Sequence, residues 1–203
     1  MNDRLLIEVV VTLFVIMDPI GSVPIFLAVT RRLTTPERHR AAGIAAGTAL
    51  GVVGLFAVLG QQILDYLHVT IPAMQGAGGL LLLLVALELL TGRESELDEA
   101  DPEQRTSIAM VPLGTPLLAG PGAIVAVIVF VGENETWSDR SAIALGVLAI
   151  LVAVYLCLRF SGLLMRVLRP TGVLLVTRIA GILLAAIAVQ MIATSVLAFA
   201  EHA

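Results

Sequence analysis

Six apolar runs dominate this chain, at about residues 5–29, 41–62, 71–90, 108–131, 142–158 and 173–199, each bounded by charged or turn-forming residues. Roughly 20 apolar residues suffice for a helix to cross the hydrocarbon core of a bilayer. Of the 203 residues, 58% are hydrophobic and 14% charged, at a mean hydropathy of +0.99. A soluble domain of this size could not bury so much apolar surface, so the runs predict an all-α, polytopic membrane protein with six transmembrane helices. The first run is too long for the apolar core of a secretory signal, and no small-residue cleavage site follows it, so it is expected to stay as a span.

The basic residues are all arginine, and they segregate. Arg31, Arg32, Arg38 and Arg40 follow the first run, Arg93 and Arg105 the third, and Arg159, Arg166, Arg169 and Arg178 flank the fifth-to-sixth connection; only Arg4 and Arg140 fall on the other side. Cytoplasmic loops carry the excess of positive charge, so both termini are expected outside the cytoplasm. The net charge of −4 sums separated loops and gives no sign of nucleic-acid binding. Cys157 is the only cysteine, which excludes a disulfide frame and a cysteine metal cluster. His39, His68 and His202 are expected in loops or at the end, and no His-Glu-x-x-His, Gly-x-Ser-x-Gly or Walker A pattern occurs. An enzyme, a resident cofactor and a nucleotide-driven pump are therefore not expected.

Two of the runs are interrupted. The first contains Asp18-Pro19-Ile20-Gly21-Ser22-Val23-Pro24, and the fourth contains Thr115-Pro116-Leu117-Leu118-Ala119-Gly120-Pro121-Gly122. Proline lacks an N–H and clashes with the preceding turn, and broken backbone inside a membrane survives only when buried in protein or lining a polar cavity. Asp18 adds an ionisable group, a mark of function at that depth. Pro116 and Pro121 repeat the spacing of Pro19 and Pro24, both displaced by 97 residues. A second echo aligns Gly79 with Gly181 and sets Glu88 opposite Gln190. Three spans per half is an odd number, so the halves must enter the membrane in opposite senses. The expected plan is two inverted three-helix repeats, residues 1–92 and 107–203, joined by an acidic cytoplasmic linker over 93–106, with helices 1 and 4 broken near the midplane.

The remaining polar marks are fewer. Gln75 and Glu88 stand on the third span and Gln190 on the sixth, as candidates for the pathway; Glu88, close to Arg93, is as well read as a carboxylate reaching interfacial water. Gly43, Gly47 and Gly51 recur at intervals of four on the second span, with Gly54 nearby, a seam that lets another helix approach. It is assigned first to a helix of the same chain, with a homo-oligomer as the alternative. Glu8 and Glu201 are assigned to the outer headgroups, Glu133 and Trp137 to an external loop, and Pro170-Thr171-Gly172 to a loop before the sixth helix.

Met17-Asp18-Pro19-Ile20-Gly21-Ser22-Val23-Pro24-Ile25-Phe26 and Pro116-Leu117-Leu118-Ala119-Gly120-Pro121 resemble, in order, the two signature motifs of the MarC family of membrane proteins, also called the neutral amino acid transporter family. Ser22 stands where the family often has Asn, which keeps a hydrogen-bonding side chain but shortens it. The resemblance spans nearly the whole chain and implies a six-helix fold and transport of small neutral amino acids, with cation coupling in some members. The candidate substrate site then comprises Asp18, Pro19, Gly21, Ser22 and Pro24 with Thr115, Pro116, Ala119, Gly120, Pro121 and Gly122, with Asp18 as the residue for a coupling proton or sodium ion. The expected function is secondary transport of a glycine- or alanine-sized zwitterion; an ion or small-solute channel, or an exporter, is the alternative.

Overall fold

The computed structural model describes residues 2–30, 33–91, 119–134 and 136–201. The linker at 93–106 and the start of the fourth run, Thr115 and Pro116 included, lie outside the described residues. All secondary structure among the described residues is helical: α1 Asp3–Met17, α2 Ser22–Val29, α3 Thr35–Leu67, α4 Ile71–Thr91, α5 Pro121–Glu133, α6 Trp137–Arg159 and α7 Ser161–Glu201. By length and composition α3, α4, α6 and α7 can each cross a membrane. α1 and α2 are the two pieces of the first apolar run, and α5 is a shorter apolar helix.

Two boundaries depart from the sequence reading. α3 begins at Thr35 rather than near Ala41, which places His39 inside a helix instead of a loop. A capping interaction sets that start: the Glu37 carboxylate accepts from the Thr34 backbone N–H at 2.8 Å and from its hydroxyl at 2.7 Å. Pro36 sits in the first turn, where no N–H is required. The expected loop at Pro170-Thr171-Gly172 is instead helical: α7 consists of two helical pieces that meet at a one-residue break at Arg169 (φ 57°, ψ 165°). Proline disfavours helical backbone in the residue before it, so the break needs only that residue.

The bundle has two chemically distinct ends. Asn2 donates to Asp139 at 2.9 Å, tying the start of α1 to the start of α6, and Gln75 near the start of α4 donates to Glu133 at the end of α5. This acidic end carries the exposed aromatics Tyr66 and Trp137, as interfacial belts do. The opposite end carries Arg38, Arg159, Arg166 and Arg169.

Between the ends, glycine decides the spacing. A side chain at Gly60 would run into Ile128 of α5, one at Gly78 into Val125 of α5, and one at Gly146 into Val9 of α1. α5 is thereby enclosed, with Val125, Ala126, Val127, Ile128 and Val129 all buried. The closest seam joins α4 to α7, and it is reciprocal. A Cβ on Gly79 would lie 2.7 Å from the Ala188 carbonyl and 2.8 Å from Ile192; one on Gly181 would lie 3.4 Å from the Ala86 carbonyl and 3.2 Å from Leu90. In the register that aligns Gly79 with Gly181, Ala86 is the counterpart of Ala188 and Leu90 of Ile192, so each contact is the other with the halves exchanged. Leu82 and Leu184, also counterparts, are both fully buried in this seam.

The second-span seam behaves otherwise. Nothing lies within 4 Å of a Cβ placed on Gly47, Gly51 or Gly54, and Gly43 meets only Tyr155 at 3.9 Å. The assignment to a helix of the same chain is therefore corrected: no described helix closes over these three glycines. Gly79→Val should accordingly lower the thermal midpoint of the detergent-solubilised protein by an amount corresponding to about 1–3 kcal/mol, because the obstructing atoms include backbone. Gly51→Ala, on an open helix face, should raise stability by up to about 1 kcal/mol. A thermal unfolding series on the two variants checks both.

Candidate functional site at the break of the first span

α1 ends for a local reason. Pro19 has no N–H to offer the Val15 carbonyl, and Asp18, preceding a proline, leaves helical backbone for the left-handed region at φ 34°, ψ 70°. Aspartate is among the few residues that enter this region, because its side chain bonds locally. Here Asp18 Oδ1 accepts the Gly21 N–H at 3.0 Å, while the Asp18 N–H still reaches the Phe14 carbonyl at 3.1 Å. The chain then restarts as α2: the Ser22 N–H donates to the Asp18 carbonyl and its hydroxyl to the Pro19 carbonyl, both at 3.0 Å. Pro24 falls in the first turn of α2, where its missing donor costs nothing. The carbonyls of Val15, Ile16 and Met17 receive no backbone donor among the described residues.

Asp18 is 6% exposed and Ser22 equally so. Asp18 Oδ2 has no hydrogen-bond partner. Gly21 is obligatory beside it, since a Cβ there would collide with Asp18 Oδ2 and lie 2.7 Å from Thr177 Oγ1 of α7. Thr177 is itself buried, and its hydroxyl stands close enough to act on the carboxylate.

The second break meets the first. Gly120 is the extended cap of α5 (φ −62°, ψ 165°) and Pro121 its first residue, an arrangement in which the absent N–H is not missed. The Ala123 and Ile124 N–H groups both turn back to the Gly120 carbonyl, at 3.0 and 3.3 Å. The buried Gly122 N–H has no acceptor among the described residues. A Cβ on Gly122 would collide with Leu82 of α4 and lie 3.4 Å from Ile16 of α1. The open end of α1 and the open end of α5 therefore adjoin, with Ala119 buried beside them. Since Leu82 is near the middle of α4, this junction lies at mid-bundle, and Asp18 lies beyond it toward the arginine end, facing Thr177.

The other candidates scatter. Glu88 and Gln190 are exposed, whereas Asp18 is buried. Gln75 is buried but sits at the acidic end with Glu133, whose carboxylate is also within electrostatic reach of Glu8. Two surface grooves of about 310 Å³ each are lined by the α3–α4 turn around His68 and by α3 and α6 around Gly47 and Tyr155; neither includes Asp18.

A family model described as MarC family integral membrane protein matches residues 4–199. The chain belongs to the MarC family. Among its relatives are UPF0056 membrane proteins of Methanocaldococcus jannaschii, 34% identical over 91% of this chain and 92% of the relative, and of Archaeoglobus fulgidus, 35% identical over 89% and 87%. The YvbG protein of Bacillus subtilis, also a UPF0056 membrane protein, is 30% identical over 92% of each chain. No solved structure matches. This MarC protein is thus an integral membrane protein, whose two signature motifs bring the end of α1 against the start of α5.

Thr177 was not singled out from the sequence, because a lone threonine among apolar residues carries no signal. Only the register that aligns it with Gln75 could have marked it. Gly21→Ala should lower stability by about 1–3 kcal/mol through its clash with the carboxylate, and Asp18→Ala in the same chain should recover much of that loss. A double-mutant thermal cycle that proved additive would show the two positions to be uncoupled.

Proposed function

We propose that this protein is a secondary transporter of small neutral amino acids, glycine- or alanine-sized, built from two inverted three-helix halves. The observation that carries the reading is the meeting of two opposite helix ends at the α1–α5 junction. Among the described residues, the carbonyls that end α1 have no backbone donor and the Gly122 N–H at the start of α5 has no backbone acceptor. Helix ends bear roughly half a unit of charge, positive at the N-terminus and negative at the C-terminus. A zwitterion fits this pair: its carboxylate toward Gly122 at the start of α5, its ammonium toward the carbonyls of Val15, Ile16 and Met17. Small neighbours, Ala119, Gly120 and Ala123, favour a short side chain. Asp18 is left for a coupling cation, a proton or sodium.

The reciprocal Gly79 and Gly181 contacts support the inverted repeat, since exchanging the halves reproduces the seam. The segregation of arginine to one end supports a cytoplasmic location for that end in a bacterial inner membrane, with both termini periplasmic. The open glycine face of α3 is the surface a homo-oligomer would use. Residues at the junction are closely packed, so substrate entry requires one half to move against the other. Such gating distinguishes a carrier from a channel on the same fold.

Purified protein in liposomes should take up labelled glycine or alanine with saturation and counterflow. Gly122→Val, which places two methyl groups between α1, α4 and α5, should reduce uptake at least about tenfold, a loss of about 1.4 kcal/mol in transition-state terms. Flux without saturation would favour the channel, and absence of uptake for every small neutral amino acid would overturn the proposal.

A further inference from the structure

Asp18 is the only buried carboxylate among the described residues, and no cationic side chain there pairs with it. An uncompensated buried charge is costly, yet one of its oxygens is left without a hydrogen bond. A second oxygen stands beside it: the Thr177 hydroxyl faces the same space above Gly21, where a Cβ would meet both groups. The end of α1 adds the negative pole of a helix. Gly21 keeps this space free of a side chain, since a Cβ would occupy it.

The geometry points to a sodium site at this break, with Asp18 Oδ2 and Thr177 Oγ1 as its side-chain ligands. Sodium matches the donor set on charge and hardness. One carboxylate balances one positive charge, and no group of three or more acidic, histidine or cysteine side chains gathers among the described residues to hold a divalent or softer metal. A proton would sit on the carboxylate alone, whereas a sodium ion can take both oxygens. Thr177 becomes the functionally important residue of α7: it comes from the second half of the chain and closes a site built on the first. This inference rests on the transporter reading, as the identity of its coupling ion.

The test separates the two. Thermal unfolding of the purified, detergent-solubilised protein is followed as NaCl replaces choline chloride at constant ionic strength, with no amino acid present. A ligand that binds the folded state raises its midpoint by mass action, so the midpoint of wild type should climb with sodium and stay flat with potassium. Thr177→Val should weaken the sodium dependence at least about tenfold, a loss of the size metal sites show when supporting groups are removed. Thr177→Ser should restore it, and Asp18→Asn should abolish it. A wild-type midpoint indifferent to sodium overturns the site, and so does an unaltered sodium response in Thr177→Val. In liposomes, glycine or alanine uptake driven by a pH gradient and indifferent to sodium overturns the site while the transporter stands. A sodium response without any amino acid uptake supports the site and overturns the transporter.

Discussion

Pro19 withholds one N–H from the Val15 carbonyl, and the chemistry of the interior follows from that missing hydrogen bond. In water the loss would be made good by solvent; in a bundle interior the freed groups must find partners or remain exposed to whatever enters. The chain recovers part of the loss locally. Asp18 turns left-handed and binds the Gly21 N–H, and Ser22 caps the Asp18 and Pro19 carbonyls. Among the described residues it leaves three carbonyls at the end of α1 without a backbone donor and one carboxylate oxygen without a hydrogen bond. The restart of α2 is thus satisfied, whereas the stop of α1 is not. That imbalance makes the end of α1 an acceptor surface.

α5 supplies the donor. With 13 residues it is roughly 20 Å long at 1.5 Å per residue, too short to cross a bilayer alone. A half-helix of this kind survives only if neighbours screen its open end from lipid, and here glycines let them approach. Gly60 of α3 and Gly78 of α4 admit the valine and isoleucine side chains of α5, while Gly122 of α5 admits Leu82 of α4 and Ile16 of α1. Each removed Cβ brings two helices together at a place where dispersion, and not water exclusion, must hold them. The small residues that make room for close packing also make the end of α5 reachable.

Much of this was legible in the sequence because the constraints were local. The break at Asp18-Pro19, the cap at Gly120-Pro121 and the counterparts Gly79 and Gly181 follow from which residues lack a donor or a side chain. Helix bounds were less legible: the start of α3 depends on a single carboxylate, Glu37, reaching back to Thr34, and the Arg169 kink replaces a loop because one residue suffices to turn α7. Long-range polar partners were illegible. Glu133 read as a loop carboxylate, yet it meets Gln75 across 58 residues of sequence, and no local pattern announces such a pair. The α3 glycines show the converse. Their spacing signals a close approach but says nothing of which helix makes it, and no described helix does.

Thr177 and Gln75 suggest why these two polar positions lie where they do. The register that pairs Gly79 with Gly181 also pairs Gln75 with Thr177, so both stand at the same place on corresponding helices. Each faces a broken run of the other half: Thr177 meets the break at Asp18, and Gln75 meets Glu133 at the far end of α5. One contact lies toward the arginine end and the other at the acidic end. The chemistry at the two positions nevertheless differs. At the acidic end an amide donates to a carboxylate and satisfies it; toward the arginine end a hydroxyl faces a carboxylate whose second oxygen stays open. Two positions that correspond in register thus carry different chemistry: one is a closed fastening, and the other stands beside a carboxylate with an open oxygen.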